Sequence, residues 1–98
     1  MSRDAFERHM RQTHFPLLAK VLGLRRLVIN WALPDPHGAP PACDAVAEDW
    51  FDNDAAMNTA LASAQMQAVV ADAPNFLDMS RLKLMVVQEE EAALPSAT

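Results

Sequence analysis

Apolar residues at Phe6, Met10, Leu17, Leu18 and Val21 recur at three- and four-residue steps, with charge at Glu7, Arg8 and Arg11 between them. That spacing predicts a helix with one buried side. Ser2 stands where an N-cap belongs, Asp4 lies in the first turn near the positive end of the helix dipole, and Gly23 is a natural stop. Within this helix, in the stretch RQTHFPLL, Pro16 lacks the N–H that would bond the Gln12 carbonyl, so a kink is expected near Gln12 to His14. The period then changes. Residues 24–33, LRRLVINWAL, are rich in β-branched and aromatic side chains and read as a strand. PDPHGAPPAC cannot be helix or central strand, and its length predicts a loop that drapes over another part of the molecule. Residues 44–51, DAVAEDWF, form a second predicted strand. A second helical region follows Asp52 as N-cap, with Met57, Leu61, Met66 and Val69–Val70 on its apolar side and Ser63 as a point of division. DAPNFLD closes it in a turn, and residues 80–90, SRLKLMVVQEE, form a third predicted strand. Residues 92–98 have nothing to pack with and are expected to fray, which leaves residues 1–91 as the domain.

The expected order is helix–strand–strand–helix–strand, an α+β chain. Strands with as few polar interruptions as RLVINWAL and LKLMVV want both faces covered. Two helices cover one face of the sheet, and a second copy of the chain is the simplest cover for the other, so a homodimer is expected.

Composition narrows the function classes. The 98 residues suit one domain, and 51% of them are hydrophobic, enough for a packed core. A formal charge of -5 speaks against nucleic-acid binding, which needs a clustered basic surface; Arg25–Arg26 is the one basic doublet and reads as the polar start of a strand. Cys43 is the single cysteine, so no intrachain disulfide forms and a reducing compartment fits. No apolar run approaches the ~20 residues of a membrane span, and the N-terminus lacks the apolar core of a signal peptide. A soluble cytoplasmic protein with no membrane partner is the expectation.

Three segments, AFERHMRQTHFPLLAKVLGLRRLVIN, DAVAEDWFDNDAAMNTALAS and ADAPNFLDMSRLKLMVVQE, together resemble the EthD family in one colinear pass over nearly the whole chain. The most specific pieces are Thr13-His14-x-Pro16-Leu17, the strand entry Gly23-Leu24-Arg25-Arg26, Ala47-Glu48-x-Trp50-Phe51, and Asn75-Phe76-x-Asp78. The resemblance implies a ferredoxin-like βαββαβ unit with two helices on one face of an antiparallel sheet, dimerising sheet to sheet into a dimeric α/β barrel. The family pattern begins with a strand that is central in the sheet, between the third and fourth; here only Met1-Ser2-Arg3 precede Asp4. The first strand is therefore apparently lacking, and the last strand is expected to pair directly with residues 44–51 or to borrow a partner. Asp49 is a second departure, at a position where the family pattern is apolar.

Among candidate site residues, His14 lies about 40° around the helix from Met10 and so borders the buried face. It is either an acid/base suited to proton transfer near neutrality or a structural histidine bonded to a carbonyl freed by Pro16. The family match favours a functional position. Glu48 shares a strand side with Val46 and Trp50; a carboxylate beside a tryptophan can serve as acid or base, or it can pair with Arg25 or Arg26. Asn30, on the side of Val28 and Ala32, can orient a carbonyl ligand or be an edge polar residue, while Trp31 faces the other way. Phe76 can close a pocket or staple its turn. Metal ligation is not expected: His9 and His14, five apart, stand about 140° apart on an α-helix, and His37 is alone in its loop. No glycine-rich phosphate loop, His-Glu-x-x-His or nucleophile elbow occurs, so if the protein is an enzyme it is expected to work without a cofactor.

What the resemblance implies is a small cofactor-independent enzyme, of the oxidoreductase, monooxygenase, dehydratase or isomerase types found among related dimeric α/β barrels, acting on a hydrophobic oxygenated metabolite through His14 and Glu48, with Asn30, Trp50 and Phe76 binding it. The alternative is a non-catalytic ligand-binding or accessory dimer supporting an oxidative degradative or biosynthetic pathway. Haem binding, known in some barrels of this class, is a third and weaker reading.

Overall fold

A computed structural model describes residues 1–96. The first helical region is three pieces in line: α1 (Arg3–His9), a π turn (Met10–His14) and α2 (Phe15–Leu18). Ser2 caps α1 as expected, its Oγ accepting the Ala5 N–H at 3.1 Å. The break expected from Pro16 is present as the π turn, in which the Phe15 N–H reaches back five residues to the Met10 carbonyl. Proline denies the Gln12 carbonyl its α-helical donor, and one extra residue in the preceding turn absorbs the mismatch without ending the helix. The chain then reverses at Gly23, whose φ of 91° lies in the left-handed region that glycine tolerates.

β1 (Arg26–Trp31) and β2 (Ala45–Trp50) form a two-stranded antiparallel sheet in which Leu27 faces Asp49 and Asn30 faces Val46. Between them the loop drapes over nothing, for residues 33–44 are all exposed. It is shaped locally instead, by the Asp35 carboxylate accepting the N–H groups of His37 and Ala39 at 2.8 and 2.9 Å. The second helical region divides at Ser63 into α3 (Asp54–Leu61) and α4 (Ala64–Asp72), followed by a 3-10 turn (Ala73–Asn75). Ser63 both ends α3, donating to the Ala60 carbonyl at 2.6 Å, and caps α4 by accepting from Met66 at 3.2 Å. The cap of α3 is Asn53, not Asp52: Asn53 Oδ1 accepts the Ala56 N–H at 2.8 Å, while Asp52 binds the Arg25 guanidinium at 3.0 Å.

Leu18, Val21, Ala60, Met66 and Val69 make the core, with Leu27 and Phe51 packed on it from the sheet. Because paired residues of an antiparallel sheet share a face, Leu27, Ile29, Trp31, Ala45, Ala47 and Asp49 face the helices, and Val28, Asn30, Val46, Glu48 and Trp50 face away.

The third expected strand does not form. Residues 80–90 carry a strand-like pattern, yet after the turn they run unpaired, with Leu84 88% and Met85 83% exposed. Neither direct pairing with β2 nor a borrowed partner is seen among the described residues. A strand is stabilised by ladder hydrogen bonds and cross-strand contacts, so an apolar pattern without a neighbouring strand specifies nothing. In the ferredoxin-like order that neighbour is the first, central strand.

The cap assignment is testable by denaturant unfolding. Asn53→Ala should cost about 1 kcal/mol, whereas Asp52→Ala, which removes only an exposed ion pair, should stay within about 0.5 kcal/mol of the parent.

Candidate functional site

The π turn decides which side chains meet. On an uninterrupted α-helix, residues five apart point about 140° apart; a turn closed by five-residue backbone bonds brings them back toward one side. His9 and His14 therefore converge, contrary to the expectation from helical spacing. Both reach Asp72, the last residue of α4. His9 Nε2 lies 2.9 and 3.0 Å from its two carboxylate oxygens, and His14 Nδ1 lies 2.9 Å from Oδ2. Asn75 Nδ2 adds a third donor at 3.2 Å. The structural partner of His14 is thus a carboxylate, not a carbonyl freed by Pro16.

Asp72 sits at the C-terminal end of a helix, where the backbone dipole is unfavourable to a negative charge, and it is buried. Burial pushes its pKa up, but hydrogen bonds from His14, His9 and Asn75, with the charge of His9, outweigh it and hold the carboxyl below its ordinary value. An ionised carboxylate only accepts, so each ring nitrogen facing it carries the proton. His14 is thereby fixed with Nδ1–H toward Asp72, and its Nε2 presents a lone pair. That nitrogen has no hydrogen-bond partner among the described residues, and the side chain retains 11% exposure.

Phe76 roofs the cluster. Its ring stacks on His9 at 4.5 Å and 24° and meets His14 at 4.7 Å and 57°. Phe6 joins Phe76 at 5.6 Å and meets Trp31 edge-on at 6.0 Å, which ties α1 to the sheet. The Arg11 and Arg3 guanidinium carbons lie 5.0 and 5.8 Å from the Trp31 ring centre, and Glu7 pairs with both arginines. Among the described residues no set of three or more His, Cys, Asp or Glu is arranged to hold a metal ion; the two imidazoles and the carboxylate here turn toward one another.

The sequence-derived candidates fall on two sides of the sheet. His14 and Phe76 lie on the helix side. Glu48, Asn30 and Trp50 lie on the other, as the alternation along the strands requires, and there Asn30 Nδ2 donates to Glu48 Oε1 at 3.0 Å and to the Val46 carbonyl at 3.2 Å. Glu48 forms no ion pair with the arginines: Arg25 goes to Asp52, and Arg26 lies 5.4 Å from the Trp50 ring centre. Trp50 Nε1 is buried without a partner. Asp72 and His9 were missed in the sequence. The one signal available for Asp72 was an acidic residue placed against a helix dipole just before Pro74, and His9 was set aside on α-helical spacing that the π turn does not obey. Two surface hollows, one lined by Asp4, Glu7, Arg8, Arg11 and Gln12 and the other by Leu17, Lys20, Ala64, Gln65 and Ala68, do not include His14.

Asp72→Ala leaves the buried His14 donor and the half-buried His9 donor without this acceptor and should cost about 1–3 kcal/mol at neutral pH. Since the folded carboxyl titrates below its unfolded value, its contribution to stability is complete above the ordinary carboxylate range (pKa ~4) and is lost as pH falls through the lower folded value. Unfolding free energies measured across the acid range should show this loss in the parent and a flatter profile in Asp72→Ala.

The comparisons with known proteins agree with this architecture. The family profile described as EthD domain matches residues 1–80. An uncharacterized 11.0 kDa protein in the thcB-thcC intergenic region of Rhodococcus erythropolis is 31% identical over 91 residues, covering 93% of this chain and 85% of the relative. The crystal structure of an ethyl tert-butyl ether d (EthD) family protein of Bacillus halodurans C-125 superposes with a TM-score of 0.81 at 27% identity, covering 91% of this chain and 87% of that one. The α+β, ferredoxin-like architecture expected from the resemblance is thus supported in solved coordinates, with two strands formed here. No helix among the described residues is long and apolar enough to cross a membrane. With the matched segment spanning the π turn, both strands, α3, α4 and the Phe76 turn, the chain belongs to the EthD family.

Proposed function

We propose that this EthD-family protein is a small enzyme that moves a proton on a hydrophobic, oxygen-bearing metabolite, with His14 as general acid/base. The observation that carries the reading is the pairing of His14 Nδ1 with buried Asp72 at 2.9 Å, which fixes the ring and leaves Nε2 to meet a ligand. A carboxylate behind an imidazole orients the ring and stabilises the imidazolium formed when it accepts a proton, the logic of many His–Asp pairs. Such a pair performs proton transfer with its own atoms, which suits isomerase or dehydratase chemistry better than the oxidoreductase types in the same range of readings. Phe76, packed on both rings, supplies an apolar wall to the cluster. Glu48, Asn30 and Trp50 lie across the sheet, so a part in the same reaction requires a separate binding surface there.

A second reading, a ligand-binding or accessory dimer without chemistry of its own, draws on the same Phe76 contacts, because a ring resting on both imidazoles competes with a substrate for that space. The two part on one variant. His14→Gln keeps a hydrogen-bonding group of related reach, and in a screen of quinone-like and lactone metabolites its turnover should fall by ~10²-fold or more while the fold persists. Full turnover by a well-folded His14→Gln protein would leave the binding reading ahead.

The same proposal includes a homodimer. The sheet face bearing Val28, Val46 and Trp50 has no helix layer, and Val46, Leu84, Met85, Val86 and Val87 are exposed, a surface of the kind that association buries. Light scattering at micromolar concentration should give the mass of two chains, and the interface should bury about 1,200 Å² or more in total; a monodisperse folded monomer contradicts it.

A further inference from the structure

We propose that residues 83–87 become a strand between two copies of this chain, each copy's segment adding antiparallel to the open edge of the other's β2. The inference rests on the homodimer reading and names how the two copies join.

Both halves of this contact stand unmatched in one chain. The sheet is β1 and β2 alone, so β2 is paired along one edge, and its other edge presents free backbone N–H and carbonyl groups. Ala47, Glu48 and Asp49 in the middle of β2 are exposed, although Ala47 and Asp49 face the helix side. The helix layer does not reach over this edge. The segment is the other half. The turn before it closes with the Arg81 and Leu82 N–H groups donating to the Asp78 carbonyl at 3.0 and 3.1 Å. Beyond Leu82 the backbone has no partner among the described residues, and Leu84, Met85, Val86 and Val87 are all exposed. An unpaired edge and an unpaired strand-forming run each lack what the other supplies. Within one chain the segment stays off β2, so the strand comes from a second copy.

Charge decides direction and register. The carboxylates of β2, Glu48 and Asp49, lie toward its C-terminal end, while the segment starts basic with Arg81 and Lys83 and ends acidic at Glu89, Glu90 and Glu91. Antiparallel pairing sets the basic start against the acidic end; parallel pairing would bring acid to acid. Glu48 is already held by Asn30 at 3.0 Å, and Arg81 lies 3.6 Å from Asp78. Asp49 and Lys83 have no hydrogen bond or ion pair among the described residues. Lys83 opposite Asp49 therefore fixes the register, and it sets Met85 opposite Ala47 and Val87 opposite Ala45. Larger apolar side chains then cover the alanines on the helix side, and Val86 stands opposite Val46 on the other. A slip of one residue would turn Lys83 to the outer face and leave Asp49 unmatched. The edge of β1 offers less, because Arg25 is bound by Asp52 and Arg26 lies over Trp50. Exchange about a two-fold axis covers the β2 edge of both copies and leaves neither to recruit another chain.

Cross-linking in a Cys43→Ser background tests this. Ala47→Cys and Met85→Cys, both at exposed positions, should each remain uncross-linked when oxidised alone. Mixed, re-equilibrated and oxidised, they should give a covalent dimer with one chain of each kind. Ala47→Cys mixed with Val86→Cys, whose side chain belongs to the opposite face, should give several-fold less. In the parent chain, Lys83→Glu should raise the dimer dissociation constant by about fivefold or more, since two symmetric contacts turn from attraction to repulsion. Adding Asp49→Lys to that variant should restore most of the loss. A mass of two chains by light scattering without the mixed cross-link keeps the homodimer reading and overturns this proposal. A cross-link confined to one chain, when both cysteines are placed on it, also overturns it. A folded monomer overturns both readings.

Discussion

One buried carboxylate holds the helical half of this molecule in order. Asp72 accepts hydrogen bonds from His9, His14 and Asn75, and so joins α1, the π turn, α4 and the turn that carries Phe76. A buried ion without full hydrogen bonding is destabilising by several kcal/mol, so the three donors are a condition of the fold and not an ornament on it. The same constraint creates the site, because the donors that satisfy Asp72 also fix which nitrogen of His14 is left for chemistry.

The π turn is what makes the arrangement possible, and Pro16 is its origin. A proline costs a backbone hydrogen bond, and the chain accommodates that loss by widening one turn. Widening changes the angular phase of everything N-terminal to it. His9 shifts onto the side of His14, and Phe6 comes over Phe76 and Trp31. Sequence and site are thus linked through a single imino acid, two residues beyond His14.

This explains what could and could not be read from the chain. The helical spacing around Met10 and Leu18, the Ser2 cap, the break before Pro16, the division at Ser63 and the alternation of Glu48 with Trp50 are local properties, and each appears where the pattern places it. Residues 80–90 show the limit of pattern: they alternate and branch like a strand, but a strand is a relation between two segments, and no partner lies beside them. The His–Asp–His cluster was hidden for a related reason. It joins residues 58 and 63 positions apart, and its geometry depends on a turn whose phase differs from the α-helical period on which the spacing argument rests. The EthD resemblance pointed to His14 and Phe76, which do meet, whereas Glu48, Asn30 and Trp50 are separated from them by the sheet that their own alternation builds.

The central claim is that Asp72 sets the two histidines in opposite tautomers. It is tested most directly by long-range proton–nitrogen correlation spectra at a pH where both rings are neutral. The account predicts the proton of His14 on Nδ1 and that of His9 on Nε2, with His14 losing this preference in Asp72→Ala. A neutral His14 protonated on Nε2 in the parent protein would contradict it, since the nitrogen meant to meet a ligand would then carry no free lone pair.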